Sequence, residues 1–323
     1  MKKIAVLTSG GDAPGMNACI RAVVRGGIFY GLEVIGIIRG YEGMIDGDFI
    51  EMKSNTVSNI IQRGGTILKS ARSKRFMDAA WREKAYENLK AKEIDAVIVI
   101  GGDGTFKGAS VFSNEYKIPF IGIPGTIDND LVGTDFCIGY DTAINTVVQA
   151  VDKLRDTADS HDRLFFVEVM GRDAGFIALR SGIGVGAEAI LVPETKTYID
   201  DLITTLERGW ERKKTSSIII VAEGEEEGGA YEVARKVKEK FDHYDIRVSV
   251  LGHLQRGGSP TCMDRIIASR LGLGAVEAVL ADKKNVMIGI IDKQLHYTPF
   301  DRASKHHKKI NAELLRLAEV LSL

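Results

Sequence analysis

Two loops in this chain set carboxylates beside glycines in a pattern suited to moving a phosphoryl group. Gly101-Gly102-Asp103-Gly104-Thr105 follows the apolar run Ala96 to Ile100, and Pro124-Gly125-Thr126-Ile127-Asp128-Asn129-Asp130 follows Phe120 to Ile123. Glycines let backbone N–H groups approach phosphate oxygens, while Asp103, Asp128 and Asp130 supply metal ligands and a general base, as phosphoryl transfer requires. The carboxyl ends of parallel strands form the ligand crevice of a helix-flanked sheet, so both loops are expected to meet around one substrate. A third turn, Thr8-Ser9-Gly10-Gly11-Asp12, follows the first apolar run in the same way. One Gly-Gly turn is most simply a tight strand-to-helix connection. Two of them with the acid loop favour a triphosphate site, because each presents free N–H groups and the positive end of a helix to a phosphate.

The elements that position these loops alternate. Ile4 to Leu7, Val34 to Ile38, Ala96 to Ile100, Phe120 to Ile123, Leu164 to Val169, Ser217 to Ala222, Val248 to Leu251 and Val286 to Ile291 are short apolar runs of buried-strand type. Helical spacing marks Ala18 to Tyr30, Ala79 to Lys92, Ala143 to Asp156, Asp200 to Lys213, Tyr231 to Phe241, Ile266 to Ala281 and Lys309 to Leu321. Such alternation implies an α/β chain of mostly parallel sheet with right-handed crossovers. No Gly-x-x-x-x-Gly-Lys-[Ser/Thr] segment occurs, which excludes a P-loop enzyme. The string Gly182-x-Gly184-x-Gly186 lacks a preceding strand and an acid about 20 residues on, and reads as loop rather than a dinucleotide site.

Length and composition set the frame. The 323 residues, 45% hydrophobic, suffice for two domains with real cores. A net charge of −1 excludes a nucleic-acid binder that relies on a basic surface. Local cationic clusters remain, with Arg21 and Arg25 on one helical face and Lys69, Arg72, Lys74 and Arg75 in a short stretch. Cys19, Cys137 and Cys262 lie far apart without Cys-x-x-Cys spacing, so a disulfide framework or structural zinc is not expected and a reducing cytoplasm fits. The apolar run after Met1-Lys2-Lys3 is too short for a signal peptide, and no run reaches membrane-spanning length.

With these residues in view the chain resembles the bacterial ATP-dependent 6-phosphofructokinase family over essentially its whole length. Leu7 to Asn17, Gly101 to Thr105, Pro124 to Asp130, Val167 to Arg172, Val221 to Gly224 and Leu251-Gly252-His253-Leu254-Gln255-Arg256-Gly257-Gly258-Ser259-Pro260 resemble its motifs in order. The Gly-Gly-Asp-Gly-Thr segment alone also resembles NAD kinases and diacylglycerol-type lipid kinases. Pro124 to Asp130 together with His253 to Pro260 is highly specific.

The resemblance implies a three-layer α/β/α architecture in two discontinuous domains with the active site between them, and a homotetramer. Residues 1–139 and 256–305 would bind ATP, and residues 140–255 and 306–323 would bind fructose 6-phosphate. It implies Asp128 as general base toward the 1-hydroxyl of that sugar and Asp103 as the Mg²⁺ ligand. Gly11, Arg72, Ser73, Gly102, Asp103, Gly104 and Thr105 would hold ATP, with Thr126, Arg172 and Gly11 around the reacting end. Thr126, Ile127, Asp128, Met170, Gly171, Arg172, Glu223, His253, Leu254, Gln255 and Arg256 match the sugar-phosphate residues, Met170 more by packing than by chemistry. Arg163 and Arg247 match arginines that reach in from a neighbouring subunit. Read residue by residue, Arg163 and Arg247 would be strand-edge surface charges and His253 a satisfied polar group beside a turn; the contiguous Gly252 to Pro260 match outweighs those readings.

Donor and effector residues complete the expectations. Pyrophosphate-using relatives typically carry Asp at the Gly104 position and Lys at the Gly125 position, so two glycines favour ATP. Arg21, Arg25, Arg155, Gly186, Glu188, Arg212 and Lys214 match effector residues for ADP or phosphoenolpyruvate, whereas Asn59 stands for a usual Asp and Thr215-Ser216 for a usual Lys-His. Lys74 and Arg75 replace a usual Pro-Glu, and Phe176 and Arg180 a usual Asp and Trp. Three readings follow: an ATP-dependent phosphofructokinase, a pyrophosphate-dependent or other sugar-phosphate kinase, and a non-catalytic nucleotide-binding regulatory subunit, against which intact Asp103 and Asp128 argue.

Overall fold

The computed structural model describes residues 2–160, 163–212, 216–241, 243–303 and 308–321. Two compact units are built from it, Met1–Thr142 with Arg256–Lys308, and Ala143–Gln255 with Lys309–Leu323. The expected boundary at residues 305 and 306 falls outside the described residues, as do Lys213, Lys214 and Thr215.

The first unit centres on β1 (Lys3–Thr8), β4 (Ala96–Gly101) and β5 (Phe120–Pro124), three runs whose side chains are almost all buried. Strands covered on both faces read as continuous apolar runs, and this is why they were legible. Its seven-stranded sheet has the order β11-β10-β5-β4-β1-β2-β3, where β2 is Glu33–Ile37, β3 Phe49–Glu51, β10 Val286–Ile291 and β11 Gln294–Pro299. The edge strands β3 and β11 pair antiparallel and the rest are parallel. Ala5, Leu7, Val97 and Val99 point to one face, where they join Tyr41, Met44, Phe76, Leu89, Phe106 and Phe112 in one buried cluster. On the opposite face α1 (Met16–Phe29) lies so close that a methyl group added at Gly27 would meet Ile4 at 3.5 Å. Each fully buried Val, Leu or Ile in such a layer stabilises by roughly 1.5–3 kcal/mol.

In the second unit four parallel strands run in the order β7-β8-β6-β9, with β6 Arg163–Val169, β7 Ala189–Leu191, β8 Ser217–Ala222 and β9 Asp245–Val250. A separate core of Leu164, Phe166, Ile219 and Val221 packs on α7 (Ile199–Glu211) and α8 (Gly229–Lys238). One expectation is corrected here. Gly182 and Gly184 are not loop but the end of α6 (Phe176–Gly184), where a side chain at Gly182 would strike Ile190 at 2.5 Å.

Candidate active site

The register fixes where the loops emerge. Thr8 pairs with Ile100, and Gly101 with Pro124, so β1, β4 and β5 end side by side. The chain leaves β1 toward β2 on one side and returns to β4 on the other, which places a topological switch point between β1 and β4. Ser9 N donates to Ile100 O at 3.0 Å, and Thr105 Oγ1 to Ser9 O at 3.2 Å, tying the first turn to the second. Gly101 is required there, since a Cβ would stand 2.6 Å from Ser9 O. A Cβ on Gly102 would touch that of Thr126 at 3.7 Å, bringing the β4 and β5 loops together.

Asp103 opens α4 (Asp103–Tyr116); Thr105 N and Phe106 N donate to Gly102 O at 3.0 and 3.2 Å, while the N–H groups of Asp103 and Gly104 precede any helical acceptor. Its carboxylate is largely buried and pairs with Lys107 Nζ at 2.7 Å. Among the described residues no group of three or more His, Cys, Asp or Glu side chains could cage a metal ion. Magnesium does not need such a cage: it commonly takes one or two carboxylates, with phosphate oxygens and waters completing the octahedron. Asp103 beside the free helix N-terminus fits that mode.

Asp128 is buried, and its Oδ1 has no hydrogen-bond partner among the described residues. Asp128 N donates to Thr126 Oγ1 at 3.2 Å. Its neighbour Asn129 takes φ +53°, in the left-handed region that Asn tolerates better than most residues. Asn129 Oδ1 accepts from Cys137 N at 2.8 Å and its Nδ2 donates to Asp135 O at 3.1 Å, while Ile138 N donates to Pro124 O at 2.9 Å. These bonds close the loop on itself and hold Asp128 in place. Ile127 is fully buried.

The glycine turn meets a cation. Arg256 stands over Gly11, where an added Cβ would lie 2.7 Å from Nη1, and donates to Asp12 O at 3.1 Å. Ser70 Oγ donates to Gly10 O at 2.6 Å, which carries the exposed Arg72 and the half-buried Ser73 to the same turn. Arg75 is not a free cation. It donates to Glu42 Oε2 at 2.8 Å and to Asp46, both on α2 (Tyr41–Asp46), and lies 5.1 Å from the Trp81 ring. The Arg75 hydrogen bond holds the Glu42 carboxyl below its usual value. Tyr41, also on α2, donates to Thr105 O at 2.6 Å and stacks on Phe76 at 4.0 Å, bracing the Asp103 turn from below.

The second unit gathers another set at its strand ends. Half-buried Met170, buried Gly171 and exposed Arg172 follow β6, Glu223 follows β8, and His253, Leu254 and Gln255 follow β9. Glu223 Oε1 accepts from Arg172 N at 2.7 Å. Arg172 is held at φ +56°, backbone strain for a residue with a Cβ and of the kind found at functional sites, while Gly171 takes φ +151° without that cost. Gln255 is fully buried, its Nε2 closing its own turn on Gly252 O at 3.1 Å, whereas His253 and Leu254 are exposed. Arg163 begins β6, six residues before Val169, which puts it about 20 Å from the other end of that strand. Arg163 and Arg247 both pair with Asp245, at 3.3 and 2.7 Å, and the Arg247 bond is the chief cause of the lowered Asp245 pKa. Within this unit they are therefore remote from Arg172 and Glu223.

The expected effector residues separate between units. In the first, burial and then the neighbouring Arg25 pull Arg21 below the ordinary guanidinium value, and Asn59 sits at φ +54° with its carbonyl bonded to Gln62 Nε2 at 3.0 Å. In the second, Arg155 donates to Val185 O at 2.5 Å and to Gly186 O at 3.4 Å, buried Glu188 accepts from Ile218 N, and Ser216 bonds Asp159. Arg212 is exposed at the end of α7, and Lys214 lies outside the described residues.

Residues 3–279 match the family model described as phosphofructokinase. An ATP-dependent 6-phosphofructokinase of Cytophaga hutchinsonii is 58% identical over 322 residues, covering 100% of this chain and 98% of its own. ATP-dependent 6-phosphofructokinase 2 of Bacteroides thetaiotaomicron is 56% identical, covering 100% of this chain and 99% of its own. The solved phosphofructokinase of Saccharomyces cerevisiae superposes with a TM-score of 0.89 at 35% identity; the match covers 99% of this chain and 46% of the yeast chain, somewhat under half its length. The chain belongs to the phosphofructokinase family.

Proposed function

We infer that this chain transfers the γ-phosphoryl group of ATP to the 1-hydroxyl of fructose 6-phosphate, yielding fructose 1,6-bisphosphate and ADP. The observation that carries the reading is the full-length match to proteins named for that reaction, in a chain that keeps Asp128 with a buried oxygen that no described residue hydrogen-bonds. Asp128 takes the hydroxyl proton as the sugar oxygen bonds to the γ-phosphorus and the bond to the β-phosphate oxygen breaks. Thr126, Arg172 and the Gly11 N–H offer donors to the transferring group, which is where such sites gain most. Asp103 would hold magnesium, which when bound neutralises charge on the β- and γ-phosphates. Arg72, Ser73 and the Gly102 to Thr105 turn serve the nucleotide, and Glu223, His253 and Arg256 the sugar phosphate. Product analysis by ³¹P NMR tests the assignment: phosphate on C1 of the sugar is expected, and phosphate on any other carbon, or none, contradicts it.

Donor preference has a local test. A Cβ on Gly104 would meet nothing within 4 Å, whereas one on Gly125 would strike Ile100 at 2.9 Å and Met16 at 3.1 Å. Gly104→Asp should therefore fold, and its added charge beside the phosphate-facing turn should raise KM for ATP by roughly tenfold or more, about 1.4 kcal/mol. An unchanged KM in steady-state titrations would mean that the triphosphate does not pass this residue.

The assembly we propose is a homotetramer in which Arg163 and Arg247 serve a neighbouring subunit, because within their own unit they lie far from Arg172. Mixing inactive Arg247→Ala with inactive Asp128→Asn subunits should restore part of the activity, since some sites combine an intact base with an intact arginine. Absence of complementation after verified subunit exchange would place each site within one chain. ADP or phosphoenolpyruvate are the proposed effectors, received by the like-charged Arg21 and Arg25 together with Arg155 and Arg212. A reducing cytoplasmic setting fits the free cysteines Cys19, Cys137 and Cys262; among the described residues no helix is long and apolar enough to cross a membrane.

A further inference from the structure

Three segments that carry site residues meet at one buried carboxylate. Asp264, in the first turn of α9 (Cys262–Leu280), is 0% exposed. Its Oδ1 accepts from Gly139 N at 2.8 Å, and its Oδ2 from Thr142 N at 2.8 Å and from Thr142 Oγ1. The Thr142 hydroxyl, having donated its proton to Asp264, accepts from Thr261 N at 3.0 Å. Thr261 Oγ1 in turn accepts from Asp264 N at 3.2 Å and donates to Asp141 Oδ2 at 2.6 Å. The donors and acceptors thus run in one consistent direction.

Each partner leads back to the chemistry. Gly139 follows Ile138, which is bonded to Pro124 O and bridged to Gly125 at the root of the Asp128 loop. Gly15 ends the turn that holds Gly11; a Cβ there would come within 2.7 Å of Ile138 Cγ2 and 3.6 Å of Asp264 Cβ. Thr261 directly follows Pro260, the last residue of the segment that carries Arg256. Burial pushes the Asp264 carboxyl up to about 6, the Thr142 and Gly139 hydrogen bonds oppose that rise, and the Asp141 charge adds to it. Near neutral pH the group is ionised, and both oxygens accept.

We propose that Asp264 is a positioning residue for phosphoryl transfer, setting the Gly11 turn, the Asp128 loop and the Arg256 segment relative to one another without touching substrate. The proposal rests on the functional reading above. Positioning matters because displacement of a reacting group by about 1 Å can cost 10²-fold in rate.

Thr142→Val, Thr142→Ser and Asp264→Asn test it, with kcat, KM for both substrates and backbone hydrogen exchange measured on each folded protein. Valine keeps the shape and removes the hydroxyl at the centre of the relay, so kcat should fall roughly tenfold or more, and serine should stay within about twofold of the parent. Asparagine must turn either a carbonyl or an amide toward each donor, so Asp264→Asn should lower kcat in the same direction and speed exchange in residues 11–15 and 138–142. Lowered thermal stability with kcat and both KM values within about twofold of the parent, in both Thr142→Val and Asp264→Asn, would overturn the proposal and leave a purely structural residue. Should Asp264→Asn fail to fold, the Thr142 pair decides. If the parent itself turns over no fructose 6-phosphate, the functional reading falls, and the positioning claim stands or falls on whether exchange in residues 11–15 responds to Thr142→Val.

Discussion

Asp128→Asn is expected to lower kcat by at least ~10²-fold while ATP binding changes little. The substitution is nearly isosteric and replaces an anionic acceptor with a neutral amide that cannot take the hydroxyl proton. Two features of the structure make this a clean test. The Asp128 Oδ1 has no hydrogen-bond partner among the described residues, so the substitution breaks none there. The loop's shape depends on Asn129, Cys137, Asp135 and the Ile138–Pro124 bond rather than on the Asp128 side chain. Folding should therefore survive, as near-native circular dichroism would show. Turnover within a few-fold of the parent would remove Asp128 from the role of base.

Asp103→Ala should abolish productive use of Mg²⁺–ATP, with loss of roughly 10²-fold or more in kcat/KM for the nucleotide. Asp103 carries the carboxylate at the free N-terminus of α4, where a metal bridging to phosphate oxygens would need it. Among the described residues its carboxylate pairs with the exposed Lys107 at i,i+4, the kind of contact worth roughly a few tenths of a kcal/mol. Stability should then barely change while magnesium titrations at fixed ATP shift to higher concentration. An unaltered magnesium dependence would exclude Asp103 as the ligand. The two variants separate the roles, because Asp128→Asn should leave that dependence in place.

The frame was legible because its central strands are covered on both faces and so appear as unbroken apolar runs. Elements without that signature escaped. β3 and β7 are three residues long, α2 and α6 are too short for helical period to emerge, and β11 holds only exposed and half-buried residues at a sheet edge. At the site, Asp103 and Asp128 stood out because a carboxylate in a glycine-rich turn has few structural uses. Arg163, Arg247 and the effector residues came only through the resemblance to a family, since a lone arginine in a strand carries no chemical signature. Tyr41 and Asp264 carried no signal at all: the Tyr41 bond to Thr105 spans 64 positions, and that of Asp264 to Gly139 spans 125. Such partners are set by tertiary packing, which spacing along the chain does not encode.

The central claim is ATP-dependent phosphorylation of fructose 6-phosphate, and a coupled assay of the purified protein measures it directly. With fructose 6-phosphate and Mg²⁺ present, initial rates are compared with ATP and with pyrophosphate as sole donor. Open space at Gly104 and close packing around Gly125 predict turnover with ATP that exceeds the pyrophosphate rate by at least roughly 10²-fold. Comparable or faster turnover with pyrophosphate, or no turnover with ATP, would contradict the account.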